Sequence, residues 1–189
     1  MRKSRKAAAL IPALMIWLIL AVLFWSWIFT FLTDTDPAHK VSLFADVEAC
    51  RDKELAIELE KELPDGIRMV KVHRFAYAMF DSNNLRNADL FILKASDLEQ
   101  YREWLAPLPQ QFAEQAVLFD ENGVPLGIPV FDPADRTVVA GEWLTYAIPD
   151  ESNEQYCLAF GASSAHLPDL SDHPDLSSVI IAEKLLSLQ

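Results

Sequence analysis

The feature that most constrains this chain is an uncharged apolar run near its start. The run extends from Ala7 to Thr33, reads AAALIPALMIWLILAVLFWSWIFTFLT, and follows the basic segment MRKSRK. A helix needs about 20 predominantly apolar residues to span a bilayer, and a run of about 10–14 is too short. The sequence therefore predicts a transmembrane signal-anchor helix over residues 7–33, preceded by a cytoplasmic basic tail, residues 1–6.

A cleaved signal peptide is the competing interpretation of this run. Its apolar region typically has about 7–15 residues and ends at a site of small side chains. Here the run ends in the bulky residues of WSWIFTFLT, and no Cys follows that could carry a lipoprotein anchor. Trp25 and Trp27 suit the aromatic belt at the outer interface. We therefore expect a single-pass protein of the cell membrane, with a cytoplasmic N-terminus and an extracytoplasmic C-terminal domain.

The charge of the chain is divided unevenly by this run. All 28 acidic residues follow Thr33, whereas four of the 16 basic residues precede it. The extracytoplasmic part thus has 28 acidic and 12 basic residues, a net charge of −16. Such a domain is repelled by nucleic acid and by an anionic membrane surface, so neither is an expected partner of the domain. Solubility is the simplest meaning of the charge, and attraction of a cationic partner is the alternative.

After a short linker, residues 34–40, the next segments alternate between strand and helix patterns. VSLFA, residues 41–45, reads as a buried strand, and Leu55, Leu59 and Leu63 recur every four residues as the apolar stripe of a helix. Residues 67–77 read as a second strand, residues 81–87 as a turn or short helical turn, and ADLFIL as a third strand. We expect a helix to follow, with Leu98, Tyr101, Leu105 and Leu108 on one face. This order favours parallel strands joined by crossovers.

The remainder of the domain has a different character. AVLFDENGVPLGIPVFD places two apolar runs around an Asn-Gly pair, which is a strong β-hairpin signal. GEWLTYAI and EQYCLAFG read as further strands, and LSSVIIAEKLLSL reads as a closing helix with Ile181, Leu185 and Leu188 on one face. The predicted fold is one three-layer α/β domain over residues 41–189, with a mainly parallel, mixed sheet plus a β-hairpin.

Both cysteines, Cys50 and Cys157, follow the apolar run. An even number of cysteines in an oxidising compartment permits a disulfide between them. A domain of this size buries enough surface to be stable without one, so two separate buried thiols are the favoured state.

No motif in the chain indicates catalysis, and no cofactor is expected. Glycine is scarce, and no phosphate-binding glycine loop or G-x-S-x-G elbow is present; GASSA, residues 161–165, lacks the second glycine. The carboxylates are so numerous that chance pairs identify no general acid and base. Imidazole and carboxylate groups suit divalent cations, but the spacing of one such group matches no known ligand pattern, so no metal site is predicted there: His166, Asp169, Asp172 and His173.

The order of these segments resembles the extracytoplasmic solute-binding proteins of bacterial ABC importers, with their two-lobed type II periplasmic-binding-protein fold. The stretches that carry the resemblance are KVSLFADVEACRDKELAIELEKELPDGIRMVKV, NADLFILKASDLEQYREWLAPLP, GVPLGIPVFDP, and EQYCLAFG with the closing helix. In that family a second lobe is inserted before the returning strand. Here only residues 133–153 stand at that place, so the resemblance implies a membrane-anchored protein reduced to a single lobe.

The resemblance also implies where a ligand would bind. The family's ligand-facing loops correspond to Asp46 and Glu48 after the first strand, and to Lys94 and Ser96 after the third. The alternative is local: Asp46 and Glu48 cap the following helix, and Ser96 with Glu99 forms a capping box. The capping interpretation is favoured for all three of Asp46, Glu48 and Ser96.

Three functions follow from these observations. The first is a non-enzymatic protein-interaction or accessory module that docks a membrane or cell-surface protein, such as a transporter. The second is weak binding of a small solute by the single lobe, which cannot close over it by a hinge. The third, an enzyme, has no support in the residues.

Overall fold

A computed structural model describes residues 2–33, 36–75, 83–147, 154–167 and 176–188 of the chain. The chain forms two compact units, Met1–Asp36 and Pro37–Gln189. The first contains α1 (Arg2–Thr33), whose described side chains are those of Pro12 and of residues 14–28. In the part of the chain that is described, no helix has both the length and the apolar character needed to cross a membrane. The transmembrane assignment of residues 7–33 stays a prediction.

The second unit contains four further helices and ten strands among its described residues. The helices are α2 (Asp52–Glu60), α3 (Asn83–Arg86), α4 (Leu98–Tyr101) and α5 (Ser177–Ser187). The longer strands are β1 (Lys40–Ala45), β3 (Met69–Arg74), β4 (Leu90–Lys94), β7 (Pro125–Asp132) and β10 (Tyr156–Gly161). Two-residue strands complete the set: β2 (Ala49–Cys50), β5 (Leu105–Ala106), β6 (Leu118–Phe119), β8 (Thr137–Val138) and β9 (Leu144–Thr145).

The main sheet has the strand order β3-β1-β4-β10-β7-β6. β1 lies between β3 and β4 and is parallel to both, which confirms the parallel arrangement predicted from the alternating segments. β10 is antiparallel to β4 and to β7, so β7 runs in the same direction as the parallel strands. β2 and β9 form a separate two-stranded sheet. The domain is therefore α/β with a mainly parallel, mixed sheet and a small second sheet.

Helices cover both faces of the main sheet. On one face, Leu55 and Leu59 of α2 and Ile181 of α5 pack into an apolar core with β1, β7 and β10. On the other face, Leu85 of α3 and Leu98 of α4 pack against a second cluster. β10 contributes to both cores, and all six of its residues are buried. A strand buried on two faces is apolar throughout, which is why YCLAFG is a continuous apolar run.

The predicted hairpin is confirmed. β6 and β7 are antiparallel, and the turn between them is held by Asp120, whose Oδ1 accepts the N–H groups of Asn122 and Val124, both at 2.8 Å. Gly123 lies in the turn with φ 78°, a conformation that suits glycine.

The helix predicted after the third strand is much shorter than its sequence pattern. α4 is a single turn, flanked by 3₁₀ turns at Ala95–Asp97 and Arg102–Trp104, and Leu105 begins β5. The four residues expected on one face are all buried, as predicted: Leu98, Tyr101, Leu105 and Leu108. The helix ends early because β5 pairs with β10, so tertiary strand pairing overrides the local helical period. In α2, similarly, Leu55 and Leu59 are buried whereas Leu63 lies beyond the helix.

Gly161 permits a close approach that no other residue would allow. A Cβ at this position would overlap the carbonyl oxygen of Ala88 and lie 3.2 Å from the ring of Phe91. We expect Gly161→Ala to lower the free energy of unfolding by about 3 kcal/mol, because the backbone it meets cannot move aside.

The measurement is urea unfolding of the full chain in detergent, followed by near-ultraviolet circular dichroism. Gly66→Ala is the control: its Cβ would meet open space, but φ is +92°, so about 1–2 kcal/mol of backbone strain is expected. Equal losses at the two positions would contradict the steric argument.

Candidate functional site

The carboxyl ends of β1, β3, β4 and β7 lie at one edge of the main sheet, which we call the carboxyl edge. Asp46 follows β1, Lys94 ends β4 and Asp132 ends β7, while β10 starts at this edge with Tyr156. The edge is set by the pairing of Tyr156 with both Lys94 and Phe131. In open α/β sheets, this is the edge where ligands bind.

Asp46 and Lys94, predicted from separate loops, are brought into one electrostatic cluster. Asp46 is half-buried, and burial raises the pKa of its carboxyl group; Lys94 lowers that pKa, Asp97 raises it, and Arg74 lowers it. Arg74 is held nearby because its Nε donates to the carbonyl oxygen of Val47 at 3.1 Å. The carboxyl edge thus carries a half-buried acid flanked by two bases. Whether it binds a ligand stays a prediction.

Glu48 and Ser96 lie two residues after Asp46 and Lys94, respectively. Both side chains are exposed, and both positions are fixed through their backbone amides. The N–H of Glu48 donates to the carbonyl oxygen of Thr145 at 2.9 Å, and the N–H of Ser96 donates to Oε1 of Glu154 at 3.2 Å. Neither side chain is directed into the site by these contacts.

The capping roles predicted for three of these residues are wrong. Ser96 forms no capping box, because its N–H is bonded to Glu154 rather than to Glu99, and α4 starts without a side-chain cap. Asp46 and Glu48 do not cap α2, because β2 intervenes and the residue before the helix is Arg51, again without a side-chain cap. Pairing of β2 with β9 moves the start of α2 beyond the reach of both carboxylates.

Three aromatic rings cover part of the carboxyl edge. Tyr146, just after β9, stacks on Phe131 with ring centroids 4.8 Å apart and lies 5.1 Å from the ring of Tyr156. The hydroxyl of Tyr146 donates to the carbonyl oxygen of Val139 at 2.7 Å, and the hydroxyl of Tyr156 accepts the N–H of Ala147 at 3.2 Å. Burial raises the pKa of both phenols, so they stay protonated. The side chains of the domain thus occupy this part of the carboxyl edge.

Sequence reasoning missed this aromatic cover. GEWLTYAI was interpreted as a strand, and β9 is indeed formed, although with two residues only. The alternation in that stretch identifies an apolar side chain at Tyr146. It does not identify the strand ends against which the ring packs, since those come from β7 and β10.

The two cysteines are free thiols in separate cores. Cys157 is packed on the α3–α4 face of the sheet, whereas Cys50 packs against the core on the α2–α5 face, so the disulfide that their number permitted is not formed. Burial raises the pKa of Cys157 to about 12, with Asp132 adding to the shift, and that of Cys50 to about 11, where Asp52 raises it further and Arg74 opposes. Both are poor nucleophiles near neutral pH.

A buried polar network holds the opposite edge of the sheet. The carboxylate of Asp89, which is 3% exposed, accepts the N–H of Ser42 at 2.7 Å and the hydroxyl of Ser164 at 2.5 Å. Nε2 of His166 lies 2.9 Å and 3.0 Å from the carbonyl oxygens of Pro37 and Lys40. Since both neighbours are acceptors, Nε2 carries a proton.

This network gives His166, a member of the possible metal-ligand group, a structural role. His166 joins the start of β1 to the loop after β10 and ties that loop to α5, where Ser178 donates to its carbonyl oxygen at 2.7 Å. Among the described residues, no three His, Cys, Asp or Glu side chains are grouped as metal ligands. Asp169, Asp172 and His173 lie outside the described residues.

No protein-family model, no curated protein and no solved structure matches this chain. The resemblance to solute-binding proteins therefore stays a prediction from the sequence.

Asp46 should make the stability of the domain depend on pH. Because burial raises its pKa above the ordinary value of 3.8, the folded state holds the proton more tightly than the unfolded state. The stabilisation is complete below that value and is lost as the pH rises through the raised pKa. Asp46→Asn has no carboxyl group to ionise, so the variant does not lose this stabilisation. The melting temperature of the variant minus that of wild type should therefore be larger at about pH 7 than at about pH 3.5.

Thermal unfolding of the full chain at both pH values tests this. Glu48→Gln removes the same charge from an exposed side chain and controls for net charge. A difference between Asp46→Asn and wild type that stays constant or moves against the variant would show that burial of Asp46 is not the dominant effect.

Proposed function

We propose that this is a non-enzymatic, single-pass membrane protein whose extracytoplasmic α/β domain acts as a protein-interaction or accessory module, associated with a transporter. The observation that carries the proposal is the aromatic cover of the carboxyl edge by Tyr146. At the edge where an α/β domain normally takes a small ligand, the chain places its own side chain. The polar groups there are also engaged internally: Asp132 accepts the side-chain N–H of Gln155 at 2.5 Å, and the N–H of Ser96 is taken by Glu154.

The proposal of a membrane anchor is supported by the side chains of α1. Its described tryptophans are among its most exposed residues, Trp17 at 72%, Trp25 at 68% and Trp27 at 67%, and its leucines and isoleucines are also exposed. Apolar side chains on every face of a helix require an apolar environment. A lipid bilayer supplies it, and the basic residues of the tail place the N-terminus on the cytoplasmic side.

The absence of enzymatic activity is proposed from the chemistry of the groups present. Both thiols are held protonated by burial, and both phenols of the carboxyl edge have raised pKa values. The hydroxyl of Ser164 donates to the Asp89 carboxylate in the buried network at the opposite edge of the sheet, and Nε2 of His166 is bonded to backbone carbonyl oxygens. None of these groups is arranged as a nucleophile beside a base.

Weak binding of a small solute is the alternative, and the cluster around Asp46 favours it. A half-buried carboxylate beside Lys94 and Arg74 offers both signs of charge at the edge that binds ligands in this fold class. A zwitterionic solute would meet complementary groups there.

A thermal-shift screen separates the two functions. The full chain in detergent is screened against amino acids, sugars, short peptides and metal ions, and we expect no shift from amino acids, sugars or metal ions. A solute present at about 100 times its dissociation constant would stabilise the folded state by about 2.7 kcal/mol, which is enough to raise the melting temperature measurably. A shift that disappears in Asp46→Asn but persists in Glu48→Gln would establish solute binding and overturn the interaction proposal for this edge.

Membrane attachment is tested separately in cells. We expect the full chain to stay with the membrane fraction after alkaline extraction, because a signal anchor is not removed. We also expect protease added outside intact spheroplasts to cleave the C-terminal domain, because that domain is extracytoplasmic. A mature protein in the soluble fraction with its N-terminus near residue 30 would refute the anchor.

A further inference from the structure

β3 ends the main sheet on its parallel side. Its six residues pair with β1 along one side, from Met69 opposite Lys40 to Arg74 opposite Ala45. In the part of the chain that the structure describes, β3 is the last strand in the order and has a neighbour strand on that side only. Of the two described strands that end the sheet order, β3 is the longer, since β6 has two residues.

The backbone direction along β3 follows from one hydrogen bond. The N–H of Phe75 donates to the carbonyl oxygen of Ala45 at 2.7 Å, so by alternation the amides of Lys71 and His73 also face β1. The amides of Val70, Val72 and Arg74 consequently face away from the sheet. The first of these is bonded to a carboxylate, since the N–H of Val70 donates to Oε1 of Glu60 at 2.9 Å. The outward-facing amides of Val72 and Arg74 follow along the same edge, and these are the N–H groups that an added strand would meet.

The side chains of β3 differ between its two faces. Val70 and Val72 are buried in the core beneath α2. Lys71 and His73 lie on the other face, where the ring of His73 is 4.9 Å from that of Phe44. An added strand would therefore meet apolar side chains on one face and the ammonium group of Lys71 on the other.

The charge of this strand is opposite to that of its domain. From residue 67 to residue 80 the sequence contains the cations Arg68, Lys71 and Arg74 and no acidic residue, within a domain whose net charge is −16. Burial lowers the pKa of His73, so its ring adds no charge near neutral pH. Three acids act on this strand: Glu60 on the Val70 amide, Asp52 on His73, and Asp46 on Arg74. The edge is thus a basic strip on an acidic surface.

We propose that the β3 edge binds an extended acidic segment of a partner protein by β-strand addition, with ladder hydrogen bonds at Val72 and Arg74. Main-chain bonds give such complexes their affinity, and alternate side chains give their specificity. Acidic side chains of the added strand lie on the face of Lys71, and apolar ones beside Val70 and Val72. A second copy of this chain is a poorer occupant, because pairing β3 with itself sets basic residues against each other. This rests on the proposed interaction function and assigns that function to the β3 edge, with an acidic extended segment as the partner.

The probe is the blocked peptide acetyl-Val-Glu-Val-Glu-Val-Glu-Thr-amide with a fluorescent label, titrated into the full chain in detergent. We expect binding by fluorescence anisotropy that weakens with salt. The same peptide with Lys in place of Glu, or with alternate amides methylated, should not bind, since the first loses charge complementarity and the second loses the ladder bonds.

Charge reversal on the edge gives a matched pair of variants. Lys71→Glu should weaken peptide binding by about five- to tenfold, because an attractive cross-strand pair becomes repulsive. Arg86→Glu makes the same charge change at an exposed position in α3, which adjoins β4 rather than β3, and should leave binding within about twofold of wild type. Equal weakening in both variants would overturn the proposal in favour of a general charge effect.

Amide hydrogen exchange locates the bound peptide without any mutation. We expect the amides of Val72 and Arg74 to become protected on peptide addition, while those of Lys71 and His73, already bonded to β1, change little. Binding without new protection at Val72 and Arg74 would overturn the proposal while leaving the interaction function standing at another surface. Protection that rises with protein concentration and without peptide would overturn it in favour of a dimer through β3.

Discussion

The domain depends on the pairing of β10 with two strands that lie far from it along the chain. β10 bonds to β4 on one side and to β7 on the other, and all six of its residues are buried. Its backbone groups have no access to water, so each must be satisfied within the sheet. This strand joins the parallel half of the sheet to the hairpin half, and it contributes side chains to the cores on both faces.

The character of the carboxyl edge follows from the same strand. The residues at the start of β10 reach that edge because the strand runs antiparallel to β4: Glu154 takes the Ser96 amide, Gln155 bonds Asp132, and Tyr156 meets the ring of Tyr146. Groups that local reasoning would assign to a ligand or to a helix cap are thereby engaged within the chain. At the other edge, Asp89 and His166 perform the equivalent task for the loop that leaves β10. These internal contacts are the support for the proposal that the domain serves as a partner surface.

Elements whose signals are local were predicted well. The strands β1, β4 and β10, the hairpin around Asn122-Gly123 and the closing helix α5 are formed where composition and turn residues indicate them. Asp46 and Lys94 interact electrostatically, as their places after two neighbouring parallel strands suggest, but a ligand-binding role for them and for Glu48 and Ser96 stays a prediction. The sequence Ser96-Asp97-Leu98-Glu99 has the pattern of a capping box, but the box is not formed. The Ser96 N–H donates to the carboxylate of Glu154, 58 residues away in the chain, instead of to that of Glu99.

The sequence by itself determined the apolar run at residues 7–33, the acidic character of the remainder, and the α/β class, since each depends on composition and on periods of a few residues. The tertiary structure decided which polar groups meet, because those meetings depend on strand order and register. It placed Tyr146 over the strand ends, separated Cys50 from Cys157 by the thickness of the sheet, and left β3 as a basic edge. Strand order is a long-range property, and no local pattern in the residues of β3 specifies that it lies last in the sheet.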